Sequence, residues 1–141
     1  MSMFKKYSSS VVVFVSLLLL WNQGAIVADA KTTVKIVPDY PGSSSFGIHC
    51  ESRDDDLGSH IITQGSYYSF SFKPSVLPFV STLFHCSLNW EGRGLSFAIY
   101  NEDRDLNSRC SRLCLWKVRK DGVSGYKEGE DNPDMFFPWT R

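Results

Sequence analysis

Downstream of residue 30 the chain alternates apolar and polar residues at period two in one short run after another, with no sustained helical spacing of apolar positions. Successive side chains of a strand point to opposite faces, so each run writes one buried and one solvated face. Strands are predicted over residues 33–37, 46–50, 59–63, 67–73, 82–89, 95–101 and 113–119, with an eighth after Gly122. Turn formers separate them at Pro41-Gly42, Asp54-Asp55-Asp56-Leu57-Gly58, Gln64-Gly65, 74–78, 91–94 and Asp121-Gly122. This spacing predicts an all-β fold, a small antiparallel β-sandwich of seven to eight strands. The alternation assigns Phe46, Ile48, Cys50, Tyr68, Phe70, Phe72, Phe84, Cys86, Leu88, Leu95, Phe97, Ile99, Cys114, Trp116 and Val118 to the core. Tyr67, Tyr100, Phe136, Phe137 and Trp139 are left outside that assignment, and the tail carrying the last three is expected to pack back on the sandwich.

The segment before the alternation has a different character. Lys5 and Lys6 precede the apolar run at 11–21 (VVVFVSLLLLW), and Ala28-Asp29-Ala30 supplies a small-x-small cleavage pattern. A membrane anchor needs about 20 apolar residues, whereas polar or small Asn22, Gln23 and Gly24 close this run early. Residues 1–30 are therefore read as a cleavable signal peptide and 31–141 as one secreted domain without membrane insertion. Removing Lys5, Lys6 and Asp29 changes 15 basic and 15 acidic residues to 13 and 14, a net charge near −1. That balance excludes nucleic-acid binding by phosphate neutralisation.

All four cysteines, Cys50, Cys86, Cys110 and Cys114, lie in the mature part, and an even count on an oxidising route predicts two disulfides. Cys110 and Cys114 are four positions apart at the start of a predicted strand, and joining them needs a tight turn in an apparently extended segment. The expectation is that Cys50 and Cys86 each reach one member of the Cys110/Cys114 pair, with both connectivities open. A metal site is suggested by the repeated pairs His49-Cys50 and His85-Cys86. Neighbours in a strand face opposite ways, however, so one ion does not easily take both side chains of a pair, and no metal or cofactor is expected.

The stretch His49-Cys50-Glu51-Ser52-Arg53-Asp54-Asp55-Asp56-Leu57-Gly58-Ser59-His60 is followed by Thr82-Leu83-Phe84-His85-Cys86 leading to Trp90, by Phe97-Ala98-Ile99-Tyr100, and by Cys110 to Cys114-Leu115-Trp116-Lys117-Val118 with Asp121-Gly122. In order and spacing this resembles the plant self-incompatibility protein family, the S-protein homologues. The resemblance implies a small secreted β-sandwich protein of flowering plants, held by two disulfides and acting as an extracellular ligand. In the best-understood members it is the pistil-side determinant that arrests self pollen through a pollen-surface receptor. Two departures stand out. None of Asn22, Asn89, Asn101, Asn107 or Asn132 opens an Asn-x-Ser/Thr glycosylation site, and Phe136-Phe137-Pro138-Trp139 matches no family motif.

Charge clusters give the candidate receptor-binding residues: Arg53, Asp54, Asp55 and Asp56 in one predicted loop, Glu102, Asp103, Arg104 and Asp105 in another. As a calcium loop the acidic run lacks the alternating ligand spacing, and Asp and Gly together read as a turn. His49, His60 and His85 invite a hydrolase reading, yet no Gly-x-Ser-x-Gly or paired carboxylates accompany them, so catalysis is not expected. The resulting expectation is a monomeric, non-enzymatic signalling ligand of the apoplast, recognised by a cell-surface receptor. The competing reading is an apoplastic enzyme or enzyme inhibitor on the same scaffold.

Overall fold

The computed structural model describes residues 30–75 and 77–140. Apart from Ala30, the segment read as a signal peptide lies outside them. Nine strands follow in order: β1 (Thr32–Pro38), β2 (Phe46–Glu51), β3 (Asp56–Ile62), β4 (Tyr68–Phe72), β5 (Leu83–Trp90), β6 (Arg93–Asn101), β7 (Leu113–Val118), β8 (Gly122–Tyr126) and β9 (Met135–Pro138). A single helical turn, α1 (Glu102–Asp105), separates β6 from β7. One sheet runs β4-β1-β7-β8-β9 and the other β3-β2-β5-β6.

Every neighbouring pair is antiparallel except β1 with β7, which lie parallel from Thr33 opposite Leu113 to Pro38 opposite Val118. A parallel pair needs a long crossover. Here the whole second sheet supplies it, which local alternation does not reveal. The hairpin joining β5 to β6 is tight: Trp90 pairs with Arg93, and Glu91 and Gly92 both take positive φ, 49° and 77°. That pair of dihedrals matches the twist of the flanking strands, and Gly92 meets it without steric cost.

The two inner faces meet through aromatic rings. Phe97 of β6 lies 5.1 Å from Trp116 of β7 and 4.9 Å from Phe137 of β9, while Phe84 of β5 lies 4.9 Å from Phe70 of β4. Alternation reads the faces of β2, β5 and β7 correctly, and their inward residues are buried. Tyr68, Phe70 and Phe72 are only half-buried, because β4 is an edge strand. In β6 a register shift opposite Phe84 and His85 breaks the period, so Ile99 and Tyr100 are both buried. The tail folds back as β9: the Trp139 indole donates to the Arg119 carbonyl at 3.0 Å and its ring stacks on Trp90.

The disulfide expectation is overturned. Cys50 bonds Cys86, and Cys110 bonds Cys114. Cys50 and Cys86 stand directly opposite each other on adjacent strands, with Cα atoms 4.1 Å apart, the close approach of a non-hydrogen-bonded antiparallel pair. The argument against the short bridge placed both cysteines in one extended run. Cys110 instead precedes the strand, its amide donating to the Asp105 carbonyl at 2.8 Å, and the turn at 111–112 brings its Cα to 5.2 Å from that of Cys114. Both bridges lie in the core.

Candidate functional site

The first charged cluster closes the β2–β3 hairpin, and the connection is shorter than the sequence suggests because β3 begins at Asp56, inside the acidic run. Only residues 52–55 form the turn. The Ser52 amide donates to the Asp55 carbonyl at 2.7 Å, and the Asp55 amide donates to Ser52 Oγ at 3.1 Å, the local side-chain bonding that suits Ser and Asp to turns. Asp56 Oδ1 accepts from the Gly58 amide at 2.9 Å and lies 2.6 Å from His49 Nε2. The Gly58 bond first, and the imidazole second, hold the Asp56 carboxyl below its usual range. The same contact raises the His49 pKa, with a smaller opposing effect of desolvation. Arg53, Asp54, Asp55 and Asp56 are all exposed.

Beside this hairpin end runs a groove of about 570 Å³. Arg53, Asp54 and Asp55 line it together with Phe79, Val80 and Leu83. Phe79 is fully exposed and holds φ at 68°, a conformation that costs a bulky residue on the order of 1–3 kcal/mol. Of the eight large hydrophobic side chains exposed among the described residues, Leu77, Phe79, Val80 and Leu83 sit on this one segment. Sequence reading treated 74–78 as a turn and missed this concentration. The signal was present as apolar residues crowded around Pro74 and Pro78.

The second cluster divides. Asp103 is exposed and accepts from Ser81 Oγ at 2.8 Å, while half-buried Glu102 accepts from the Thr82 amide at 3.4 Å. Both therefore anchor the groove segment from its far side. Asp105, in contrast, has no exposed surface. Its carboxylate accepts from the Asn101 amide and from Arg104 Nε and Nη2, each at 2.8 Å, and from Arg109 Nη1 at 2.7 Å. Arg109 also grips Asp134 through two bonds of 2.6 Å. Both guanidinium groups stand within 6 Å of the Trp116 ring, Arg104 at 5.9 Å and Arg109 at 5.7 Å.

Burial alone would raise the Asp105 carboxyl pKa, but the Arg104, Asn101 and Arg109 hydrogen bonds outweigh it and hold the group below its usual value. Arg109, paired with Asp134 and Asp105, is held above its usual value against the opposing cost of burial. The sequence offered Asp105 as a surface residue because it sits among charges. Neither the Asp134 partner, 25 residues away from Arg109, nor the burial was readable locally.

For the histidines, the hydrogen-bond partners are Asp56 for His49 and the Leu57 carbonyl for His60, and the His60 ring stacks on Tyr68 at 4.6 Å. Neither imidazole bonds a serine hydroxyl. Among the described residues no helix is long and apolar enough to cross a membrane.

Fold and surface together define a disulfide-bridged β-sandwich with one charged loop turned into the protein and another turned out beside an apolar groove. The chain belongs to the plant self-incompatibility protein S1 family, whose sequence profile it matches over residues 33–139. It is 33% identical over 123 residues to S-protein homolog 2 of Arabidopsis thaliana, covering 85% of this chain and 75% of that one. It is 38% identical over 96 residues to Self-incompatibility protein S1 of Papaver rhoeas, covering 67% and 68% of the two chains. Its fold is similar to that of a solved SPH (self-incompatibility protein homologue), described as one of a widespread family of small, highly stable, secreted plant proteins. The TM-score is 0.59 at 14% identity, with 78% of this chain and 95% of that one covered.

Proposed function

We propose that residues 31–141 are released by cleavage after Ala30 and act in the apoplast as a monomeric signalling ligand for a cell-surface receptor, engaged through the hairpin end at Arg53, Asp54, Asp55 and Asp56. The observation that carries this reading is the pairing of that exposed charge with fully exposed Phe79 in the lining of one groove. Binding energy concentrates where a large apolar side chain is taken out of water, and surrounding charge sets orientation and encounter rate. Glu102 and Asp103 belong to the same surface through their hold on Thr82 and Ser81. Arg104 and Asp105 support it from behind. Pollen rejection is one role open to such a ligand, and signalling in another tissue is the other.

The test is binding of the labelled, disulfide-intact protein to plasma-membrane fractions of candidate tissues. Saturable binding is expected, weakened by Phe79→Ser and slowed about tenfold in association by joint Asp54→Lys and Asp55→Lys substitution. Saturable binding that both variants leave unchanged would overturn the site, and non-saturable binding in every tissue would overturn the ligand.

A further inference from the structure

The recognition surface leaves two His-Cys pairs, His49-Cys50 and His85-Cys86, without a role. Their strands run side by side, and the bond between Cys50 and Cys86 turns both cysteines inward. Alternation then sends both histidines to the outer face of the sheet, where His85 stands opposite Glu51. On the other side of β2, a register shift between His49 and Glu51 brings Asp56 opposite Glu51 as well. Donor atoms of His49, Glu51 and Asp56 lie within 4.8 Å of one another.

We propose that His49, Glu51 and Asp56 form a surface site for a divalent transition-metal ion of the zinc or copper(II) type. The mixed set of imidazole and carboxylate selects this class, since calcium and magnesium take all-oxygen shells. Ligand atoms about 2.0–2.2 Å from a zinc ion stand roughly 3.4 Å from one another. The 2.6 Å contact between His49 and Asp56 has to open by about 1 Å, and no other gap has to close by more than about 1.4 Å. Rotation of the long Glu51 side chain covers that difference. The ion takes the place of the direct contact between His49 Nε2 and Asp56 Oδ1.

Two features make the site preorganised. Its donors flank a disulfide that locks β2 to β5, and the Gly58 amide orients the Asp56 carboxylate from outside the ligand set. The expectation of no metal considered each His-Cys pair alone and asked one ion to reach both of its side chains. This site takes the histidine of the first pair together with two carboxylates and leaves the cysteines to each other. It shares Asp56 with the proposed receptor surface but does not rest on that reading.

Calorimetric titration of the untagged, disulfide-intact protein with zinc chloride tests it, with calcium chloride as the hard-cation comparison. One zinc ion per chain is expected to bind saturably, at least about tenfold more weakly in His49→Gln and in Glu51→Gln. Proton NMR of the imidazole rings is a second readout that needs no variant: zinc shifts the His49 signals and leaves His60 in place. No saturable zinc binding up to millimolar concentration, zinc binding that neither variant weakens, or calcium binding as tight as zinc would overturn the proposal. So would ring shifts confined to His60.

Discussion

The hairpin end at 52–55 and the connection at 102–109 look alike in composition, each mixing arginine with acidic residues over a few positions. In the folded protein they are opposites. The first turns Arg53, Asp54 and Asp55 outward on a short strand connection. The second folds into one helical turn capped by Asn101, whose side chain accepts from the amides of Asp103 and Arg104, and drives Asp105 into the interior beneath two arginines. Charge density in a sequence therefore marks polar work to be done without saying where. What separates the two loops is the number of partners each carboxylate has, since a buried charge persists only when its hydrogen-bonding capacity is met.

Removing the Asp105 carboxylate is the largest perturbation this contrast predicts. Asp105→Ala leaves two guanidinium groups without their buried partner beside Trp116 and is expected to cost about 3–5 kcal/mol in urea unfolding. A cost near that of a surface substitution, under about 0.5 kcal/mol, would make the interior network incidental.

Paired replacement of Cys110 and Cys114 by alanine comes next. This bridge spans 4 positions against 36 for Cys50–Cys86. The chain-entropy model gives roughly 2 kcal/mol for the short bridge and nearly 4 kcal/mol for the long one. A short bridge worth more than the long one would show that it contributes chiefly by holding the 101–110 segment for Asp105.

The pH dependence sharpens the same contrast. Asp105 and Asp134 are both held below the ordinary carboxylate value, Asp105 by its hydrogen bonds against burial and Asp134 chiefly by its bond from Arg109. Their contribution is fully present above the unfolded pKa near 4 and is lost as pH falls through the folded values. The contribution of these two carboxylates should therefore be flat from neutral pH down to about pH 5 and fall in more acid solution, with a shallower fall in Asp134→Asn. At the small end of the scale, joint reversal of Asp54 and Asp55 to lysine should change stability by less than about 0.5 kcal/mol.

The same contrast explains what was legible in the sequence. Faces of strands are local, so the period-two pattern placed Phe46, Ile48, Cys50, Trp116 and Val118 inside without any knowledge of topology. It failed at Tyr100, where an extra residue, Ile99, in its own strand shifts the register against β5, and at the edge strand β4, where no covering neighbour completes the burial of Phe70. Disulfide connectivity was misread because Cys110 was taken as part of an extended run, which excluded the short bridge and with it Cys50–Cys86, a pair joined by strand pairing that only the assembled sheet defines. For the candidate site, composition located the charged hairpin, but Phe79 and the groove arise from the placement of residues 77–83, between β4 and the start of β5. Asp105 was misplaced for a related reason: its burial depends on Arg109, and that arginine is anchored by Asp134 from beyond β8.

Native-state amide hydrogen exchange tests the central contrast within a single unmodified protein. The amides of Asn101, Arg109 and Cys110, which donate to Asp105, should be protected to an extent approaching the core strands. Those of Arg53 and Asp54 should exchange at nearly unfolded rates. Rapid exchange at Asn101, Arg109 and Cys110 together with protection at Arg53 and Asp54 would contradict the assignment of one charged loop to the interior and the other to recognition.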